Sequence, residues 1–393
     1  MRKDDWLSLF LLFLTFVPGK ILKLLSRELW VVAEYEMMAR DNGYWFFHYL
    51  RTEHPELKVY YPISPESPDY SKIKELGNAV KYGRLRHYCL FWAASVYCSS
   101  SSVQGFPNQR ICEDIVLNRL HGFRYVFLNH GFTRGHSYIV NGKTTNYDLI
   151  CTCSAADQRI IVQENEQTEE TVKVTGFARH DNLNSDETDD KLILIMPTWR
   201  EWLSYRNERK KSGVKAKRAE FLSSDYFLKY NELLNDPEFL SFLDEHDQHV
   251  VFYLHQYAQV YSEYFKSDSD RVTVGKTKQY DVQSLLMKAA VLITDYSSVC
   301  YDFAYMKKPV LYYQFDKEQF EACQYAPGKL FSYEQNGFGP LCYDRETLLR
   351  ELKKSCVSGY EMGDQYAERV NRFFAFFDHD NCERIYREIV NKG

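Results

Sequence analysis

Residues 280–316 read YDVQSLLMKAAVLITDYSSVCYDFAYMKKPVLYYQFD, and three periodicities follow one another within them. Val282, Leu285, Leu286 and Ala289 recur at helical spacing, so a short amphipathic helix comes first. Val291, Leu292 and Ile293 form an apolar run too short for a helix, which suits a buried strand of a parallel sheet. At Thr294 the chain turns polar, and Asp295, Ser297 and Ser298 are all residue types that cap helices. Helical spacing resumes from Ser298 to Met306, until Pro309 opens the next strand, PVLYYQF. The polar cluster therefore lies at the C-terminal edge of a strand and the N-terminus of a helix. In open α/β sheets ligands bind at that edge, and a helix N-terminus offers N–H groups to a phosphate. The serines could equally cap the helix and do nothing else.

The same alternation of strand and helix extends in both directions. LILIMPTWR, HVVFYLHQ and RVTVGK supply further strands of a second half. In the first half LWVVAEY, LKVYYPIS, RYVFLNHG, DLICTCS and TVKVTGF alternate with helical stretches such as YWFFHYLRTEHP and residues 110–120. The pattern predicts α/β architecture with two Rossmann-type parallel-sheet domains facing a central cleft. We place the first domain at 28–183 and the second at 192–365, joined by the charged run 184–191. Residues 366–393 are expected to form C-terminal helices that can cross back.

A chain of 393 residues is long enough for two domains. A net charge of −5 gives no global attraction to nucleic acid. The ten cysteines include no CxxC pair and no zinc-ligand spacing with histidine, which predicts reduced thiols. Residues 6–18, WLSLFLLFLTFVP, are strongly apolar, with basic residues before them and Lys20, Lys23 and Arg27 after. Thirteen residues fall short of the ~20 that span a bilayer. A helix lying in the membrane interface or a helix buried in the protein remain, and the basic flanks favour the interface for residues 1–27. Residues 201–220 carry seven basic side chains between Arg206 and Arg218, read either as a solvated loop or as a clamp on an anionic ligand.

Four predicted strands end in polar motifs. Asn129-His130-Gly131 offers an imidazole whose ordinary pKa suits a general base. Arg200 of Pro197-Thr198-Trp199-Arg200 could grip a phosphate with two parallel hydrogen bonds. His255 and the Thr294–Ser298 cluster complete the set. No GxGxxG, P-loop or metal-binding carboxylate triad is present, which disfavours dinucleotide redox and metal-dependent NTP hydrolysis, and no metal site is expected.

Taken together, Ala39–Leu50 (ARDNGYWFFHYL), Phe127–Gly131, Val174–Leu183 (VTGFARHDNL), Ile195–Arg200 and Asp281–Asp316 resemble the CDP-glycerol glycerophosphotransferase family of teichoic-acid and capsule polymer synthesis. The resemblance covers most of the chain. It implies a GT-B fold and transfer of a polyol phosphate, glycerol phosphate first, from a CDP-activated donor to a hydroxyl of a membrane-linked acceptor. The work would be done without a cofactor, at the cytoplasmic face of an anionic membrane. It further implies His130 as base, and Arg200, His255, Thr294, Ser297 and Ser298 around the donor diphosphate. Asp302 would hold the ribose, and Asp41 and Asn42 would lie on the acceptor side. The family's His-Pro pair is His255-Gln256 here. CDP-ribitol or a nucleotide sugar would fit the same architecture, and an idle binding subunit is the non-enzymatic reading.

Overall fold

The structure, a computed structural model, describes residues 3–26, 28–204, 211–276, 279–324 and 328–391, with no side chains described at 3–4 and 211–216. The chain divides into two compact units, Met1–Asn182 with Phe373–Gly393, and Leu183–Arg372.

The first unit is built on seven parallel strands in the order β3-β2-β1-β4-β5-β6-β7. They are β1 (Leu29–Ala33), β2 (Lys58–Ile63), β3 (Ala79–Lys81), β4 (Val96–Ser99), β5 (Arg124–Phe127), β6 (Leu149–Thr152) and β7 (Val172–Val174). β1 is buried along its whole length because both faces of the sheet are covered. Val31 and Ala33 point into a cluster with Phe91, Tyr97 and Phe106, while Trp30 and Val32 point into one with Phe46, Phe47 and Ile385. That two-residue alternation fixes the register, Trp30 pairing with Val59 on one side and Val96 on the other. Ile385 lies in the C-terminal helix Asn381–Val390, so this last segment packs in the first unit. Cys151 is buried against the same face.

The second unit has six parallel strands in the order β10-β9-β8-β11-β12-β13. They are β8 (Asp189–Met196), β9 (His249–Tyr253), β10 (Val272–Gly275), β11 (Ala289–Thr294), β12 (Val310–Tyr313) and β13 (Leu341–Cys342). β11 contains the apolar run Val291–Ile293 and is buried at every position between β8 and β12; Ala289, expected on the preceding helix, is its first residue, because that helix ends at Lys288. β8 opens at Asp189, so the charged run 184–191 ends inside an exposed strand start and is not linker throughout.

Two readings are corrected at the N-terminus. The apolar segment does not stop at Pro18: α1 runs Lys3–Ser26, 24 residues, or about 36 Å at 1.5 Å per residue. By length and composition it could cross a membrane. One stripe of it, however, is docked. Asp5, Ser8, Leu12, Thr15 and Gly19 are buried, spaced three or four residues apart. Tyr88 donates to Ser8 Oγ at 2.9 Å and Trp92 Nε1 to the Leu12 carbonyl at 3.0 Å, both from the helix Leu85–Ala93. A Cβ on Gly19 would stand 2.5 Å from Trp92 Cβ, so only glycine allows this approach. Lys20 and Lys23, expected to meet headgroups, instead donate to the carbonyls of His121 (3.4 Å) and Ala94 (2.9 Å). Arg27 lies outside the described residues. Removing residues 1–19 is therefore expected to uncover Trp92 and Tyr88 and to destabilise the first unit, which thermal unfolding of the truncated chain checks.

Candidate functional site

In the first unit the C-terminal strand edges gather three loops around His130. Asn129 adopts φ +61°, a left-handed conformation that Asn tolerates, and this turns the chain sharply after β5. Its Oδ1 accepts the His130 N–H at 2.8 Å and the Gly131 N–H at 3.4 Å. The second loop enters α2 (Asn42–Glu53), where Asp41 is the N-cap. The third is the turn Ala178–Asn182 after β7. Arg179 joins all three: its Nη1 donates to Asp41 Oδ1 at 2.8 Å and to the His130 carbonyl at 3.2 Å, and its N–H donates to Asn42 Oδ1 at 3.0 Å. Asn42 completes the link by donating from Nδ2 to the Asn129 carbonyl at 2.8 Å.

His130 is exposed to solvent on one side and packed by protein on the others. Desolvation pushes its imidazole below the ordinary value, Asp41 pulls it up, Arg179 pushes it down, and a hydrogen bond to the Ser100 main chain pulls it up. The net direction is down, so the ring is neutral and able to accept a proton at neutral pH. Behind it, buried Glu34 accepts the N–H groups of Arg40 (3.0 Å), Asp41 (3.0 Å) and Tyr44 (2.7 Å). Burial first, and the Asp41 charge second, push the Glu34 carboxyl up to about 7. The α2 N-terminus is thus occupied by a side chain of the protein. Asn42, expected on the acceptor side, is fully buried and ties loops together, because its amide is consumed by three internal partners. Asp41 keeps partial exposure beside His130.

In the second unit Arg200 is not where the sequence reading put it. Its side chain has no solvent exposure. Nε and Nη2 bind Asp316 at 2.7 and 3.0 Å, Nη2 also meets Asp295 at 2.8 Å, and Nη1 donates to the Thr198 carbonyl at 2.6 Å. The rings of Tyr226, Tyr296 and Phe320 enclose the guanidinium at 4.8–5.2 Å. A buried cation needs such partners, and these leave no fork for a diphosphate. Arg200 is the clasp behind the strand edges, joining β8 to the turns after β11 and β12. Asp295 extends it by accepting the Thr198 N–H at 2.8 Å and the Tyr296 N–H at 2.5 Å. Thr294 is likewise internal, fully buried and donating to the Met196 carbonyl at 2.6 Å.

Four expected donor residues remain at the edge. Ser297 and Ser298 are half-buried at the start of the helix Val299–Tyr305, and Ser298 makes no side-chain capping bond. Asp302 sits in the first turn of that helix, buried. His255 is half-buried, accepts the Tyr257 N–H at Nδ1 (3.3 Å), and stacks with Trp199, the centroids 6.2 Å apart. Tyr257 closes edge-on against Trp199 at 5.1 Å. Of the basic run, Arg206, Arg209 and Lys210 lie outside the described residues; Lys217 donates to the Trp202 carbonyl and Arg218 stacks on Tyr264. Among the described residues no group of three or more His, Cys, Asp or Glu side chains is placed to hold a metal. A shallow cavity of about 640 Å³ lined by Glu238, Arg350, Lys353 and Val357 lies in the helical layer, away from these edges.

Sequence reasoning left Arg179, Glu34, Asp316 and Trp199 without roles and read Asp295 only as a helix-capping type. Arg179 stood in the quoted stretch VTGFARHDNL, where an Arg between Gly176 and Asp181 was the available signal.

Among solved structures, the chain is similar to the wall teichoic acid polymerase TagF, with a TM-score of 0.65 at 17% identity over 93% of this chain and 89% of that one. It is also similar to MnaA of S. aureus in its UDP co-structure, with a TM-score of 0.56 at 11% identity over 93% and 96%. These likenesses and the two parallel sheets define a GT-B-like fold. The family model described as CDP-Glycerol:Poly(glycerophosphate) glycerophosphotransferase matches residues 21–391, and the chain belongs to that family. The minor teichoic acid biosynthesis protein GgaB of Bacillus subtilis (strain 168) is 31% identical over 366 residues, 93% of this chain and 40% of that protein. The chain spans between 40% and 48% of the length of the first curated relatives it matches.

Proposed function

We propose that this chain transfers glycerol phosphate from CDP-glycerol to a hydroxyl of a membrane-linked acceptor, in the synthesis of a teichoic-acid or capsular polymer. The observation that carries the reading is the family match across both units, 21–391, together with a solvent-exposed His130 at a strand edge. The acceptor oxygen forms a bond to the β-phosphorus, the bond from that phosphorus to CMP breaks, and His130 takes the acceptor's proton. Asp41 is the acceptor-side carboxylate. On the donor side Ser297, Ser298 and His255 take the diphosphate, Asp302 the ribose, and Trp199 with Tyr257 offers an aromatic wall. Purified protein supplied with CDP-glycerol, CDP-ribitol and nucleotide sugars in turn tests the reading: CMP release is expected with CDP-glycerol. Release of UDP or GDP alone would make it a sugar transferase, and preference for CDP-ribitol would change the polyol.

Replacing Ser298 by Ala is expected to weaken CDP-glycerol binding by about 1.5–3 kcal/mol, the contribution of a hydrogen bond to a charged group. Calorimetry showing an unchanged Kd would move the diphosphate elsewhere.

The membrane part of the proposal rests on an inverted helix. The stripe that α1 turns to the protein holds Asp5, Ser8 and Thr15, while Trp6, Phe10, Phe13, Leu14, Val17 and Leu24 face outward, Phe13 at 82% exposure. A helix fixed along one side to a folded unit and apolar on the other fits the plane of a bilayer interface. Phe13→Asp with Leu24→Asp is expected to weaken binding to anionic vesicles at least about 10²-fold, since each burial is worth about 1.5–3 kcal/mol. The melting curve should not change. Undiminished flotation of the double variant would remove α1 as the docking element.

A further inference from the structure

We propose that Arg179 is a positioning residue for His130, fixing both the main chain and the charge beside its imidazole, and that the C-terminal helix holds Arg179 in place. The proposal deepens the assignment of His130 as base and rests on that reading.

Arg179 is 7% exposed, and its guanidinium lies over the Phe177 ring, 5.1 Å from the centroid. On one side it is gripped by the entrance to α2, through Asp41 Oδ1 and Asn42 Oδ1. Its Nη1 also donates to the His130 carbonyl, which puts a fixed cation next to the ring-bearing residue. On the other side its own turn is braced. Asp181 accepts the N–H groups of Asn381 (2.9 Å) and Cys382 (2.7 Å) and the Asn381 amide (2.6 Å), all at the start of the helix Asn381–Val390. Arg384 of that helix donates from Nε to the Thr175 carbonyl at 3.1 Å. Gly176, at φ +78°, lets this contact close, because a Cβ there would lie 1.7 Å from Asn381 Oδ1. A turn of five residues would not hold a guanidinium still by itself; clamped by helices from two directions, it can.

A buried ion pair that merely stabilised the fold would use the same bonds, so the test must read what only positioning moves. The charges facing His130 are Asp41 from the α2 entrance and Arg179 from the turn, with the Ser100 main chain as the neutral partner and Glu34 acting through Asp41. They have opposite signs, and so must their removal. Without Arg179 the imidazolium is no longer opposed, so Arg179→Gln should raise the His130 midpoint. Without the Asp41 carboxylate the imidazolium loses its attraction, so Asp41→Asn should lower it. Arg179→Lys, which keeps the charge, should leave it near wild type.

The experiment follows the His130 Cε1–H resonance through a pH titration of the full chain and its three variants, alongside the pH profile of turnover with CDP-glycerol. Opposite shifts, with the acid limb of turnover moving up for Arg179→Gln and down for Asp41→Asn, are expected. Turnover at neutral pH should fall about 10²-fold in Arg179→Gln, the scale of a displaced reacting group. Shifts in the same direction, or none in either variant, would overturn the proposal and leave Arg179 a structural ion pair. If Arg179→Gln does not fold, Arg179→Lys, which keeps the charge but not the planar fork, decides through turnover: a fall at neutral pH with an unmoved His130 midpoint supports positioning, and wild-type turnover overturns it. If the wild type releases no CMP from any donor, the proposed function fails, while the resonance titration still decides the positioning.

Discussion

Replacing His130 by alanine is expected to lower turnover by about 10²–10⁴-fold while the affinity for CDP-glycerol stays as it is. A general base acts on the proton lost in the transition state, so its removal appears in kcat and leaves ground-state binding of the donor untouched. The surrounding geometry supports a clean deletion. Asn129 and Arg179 hold the main chain of residue 130, through its N–H and its carbonyl, so alanine there loses the ring and keeps the loop. His130→Asn should be as slow as His130→Ala, because an amide of similar shape cannot take the proton. Stopped-time assays of CMP release, paired with calorimetry of donor binding, check both halves. If the alanine variant turns over at the wild-type rate, the base is another group; if it fails to bind donor, His130 belongs to the donor site.

Most of the sheet framework was legible because parallel strands buried on both faces announce themselves as uninterrupted apolar runs, as Leu29–Ala33, Leu192–Met196 and Val291–Ile293 do. What escaped is short or sparsely apolar. β3 has three residues, and the helix Tyr70–Leu76 buries only Ile73, too little for any period to show. The helix Ala155–Glu164 did carry a signal, Ser154 followed by Asp157, whose N–H bonds back to the Ser154 hydroxyl at 3.1 Å. Pro18 stands inside α1, within the single helix expected over 1–27. Proline inside a helix costs about 3 kcal/mol, and here the docking of Gly19 and Leu22 onto the first unit carries α1 past it. At the site, an exposed strand-edge His was visible from its neighbours in sequence. The partners that decide what an Arg does were not: Asp316 lies 116 residues from Arg200, and nothing local to PTWR points to it.

That distant pairing sets the second large effect. Arg200→Ala is expected to destabilise the second unit by about 3–5 kcal/mol, the range for removing one partner of a buried ion pair and leaving the other uncompensated. Two carboxylates are stranded together, since Asp295 and Asp316 share this one guanidinium and neither side chain reaches more than 5% exposure. The tyrosine hydroxyls nearby, Tyr296 on Asp316 at 3.3 Å and Tyr230 on Asp295 at 3.5 Å, can donate hydrogen bonds but supply no charge. The damage should therefore come from the orphaned charge, not from the lost contact area, and this gives the prediction a sign that packing alone would not. Adding Asp316→Asn to Arg200→Ala removes one stranded charge, so the double variant should be more stable than Arg200→Ala, although Asp316→Asn alone should be less stable than wild type. Amide exchange in β8 and β11, the strands that the clasp joins, reads the second unit without interference from the first. Faster exchange there in Arg200→Ala, partly restored in the double variant, is the expected pattern. Unchanged exchange combined with a weaker Kd for CDP-glycerol would return Arg200 to the diphosphate and refute its place in the clasp.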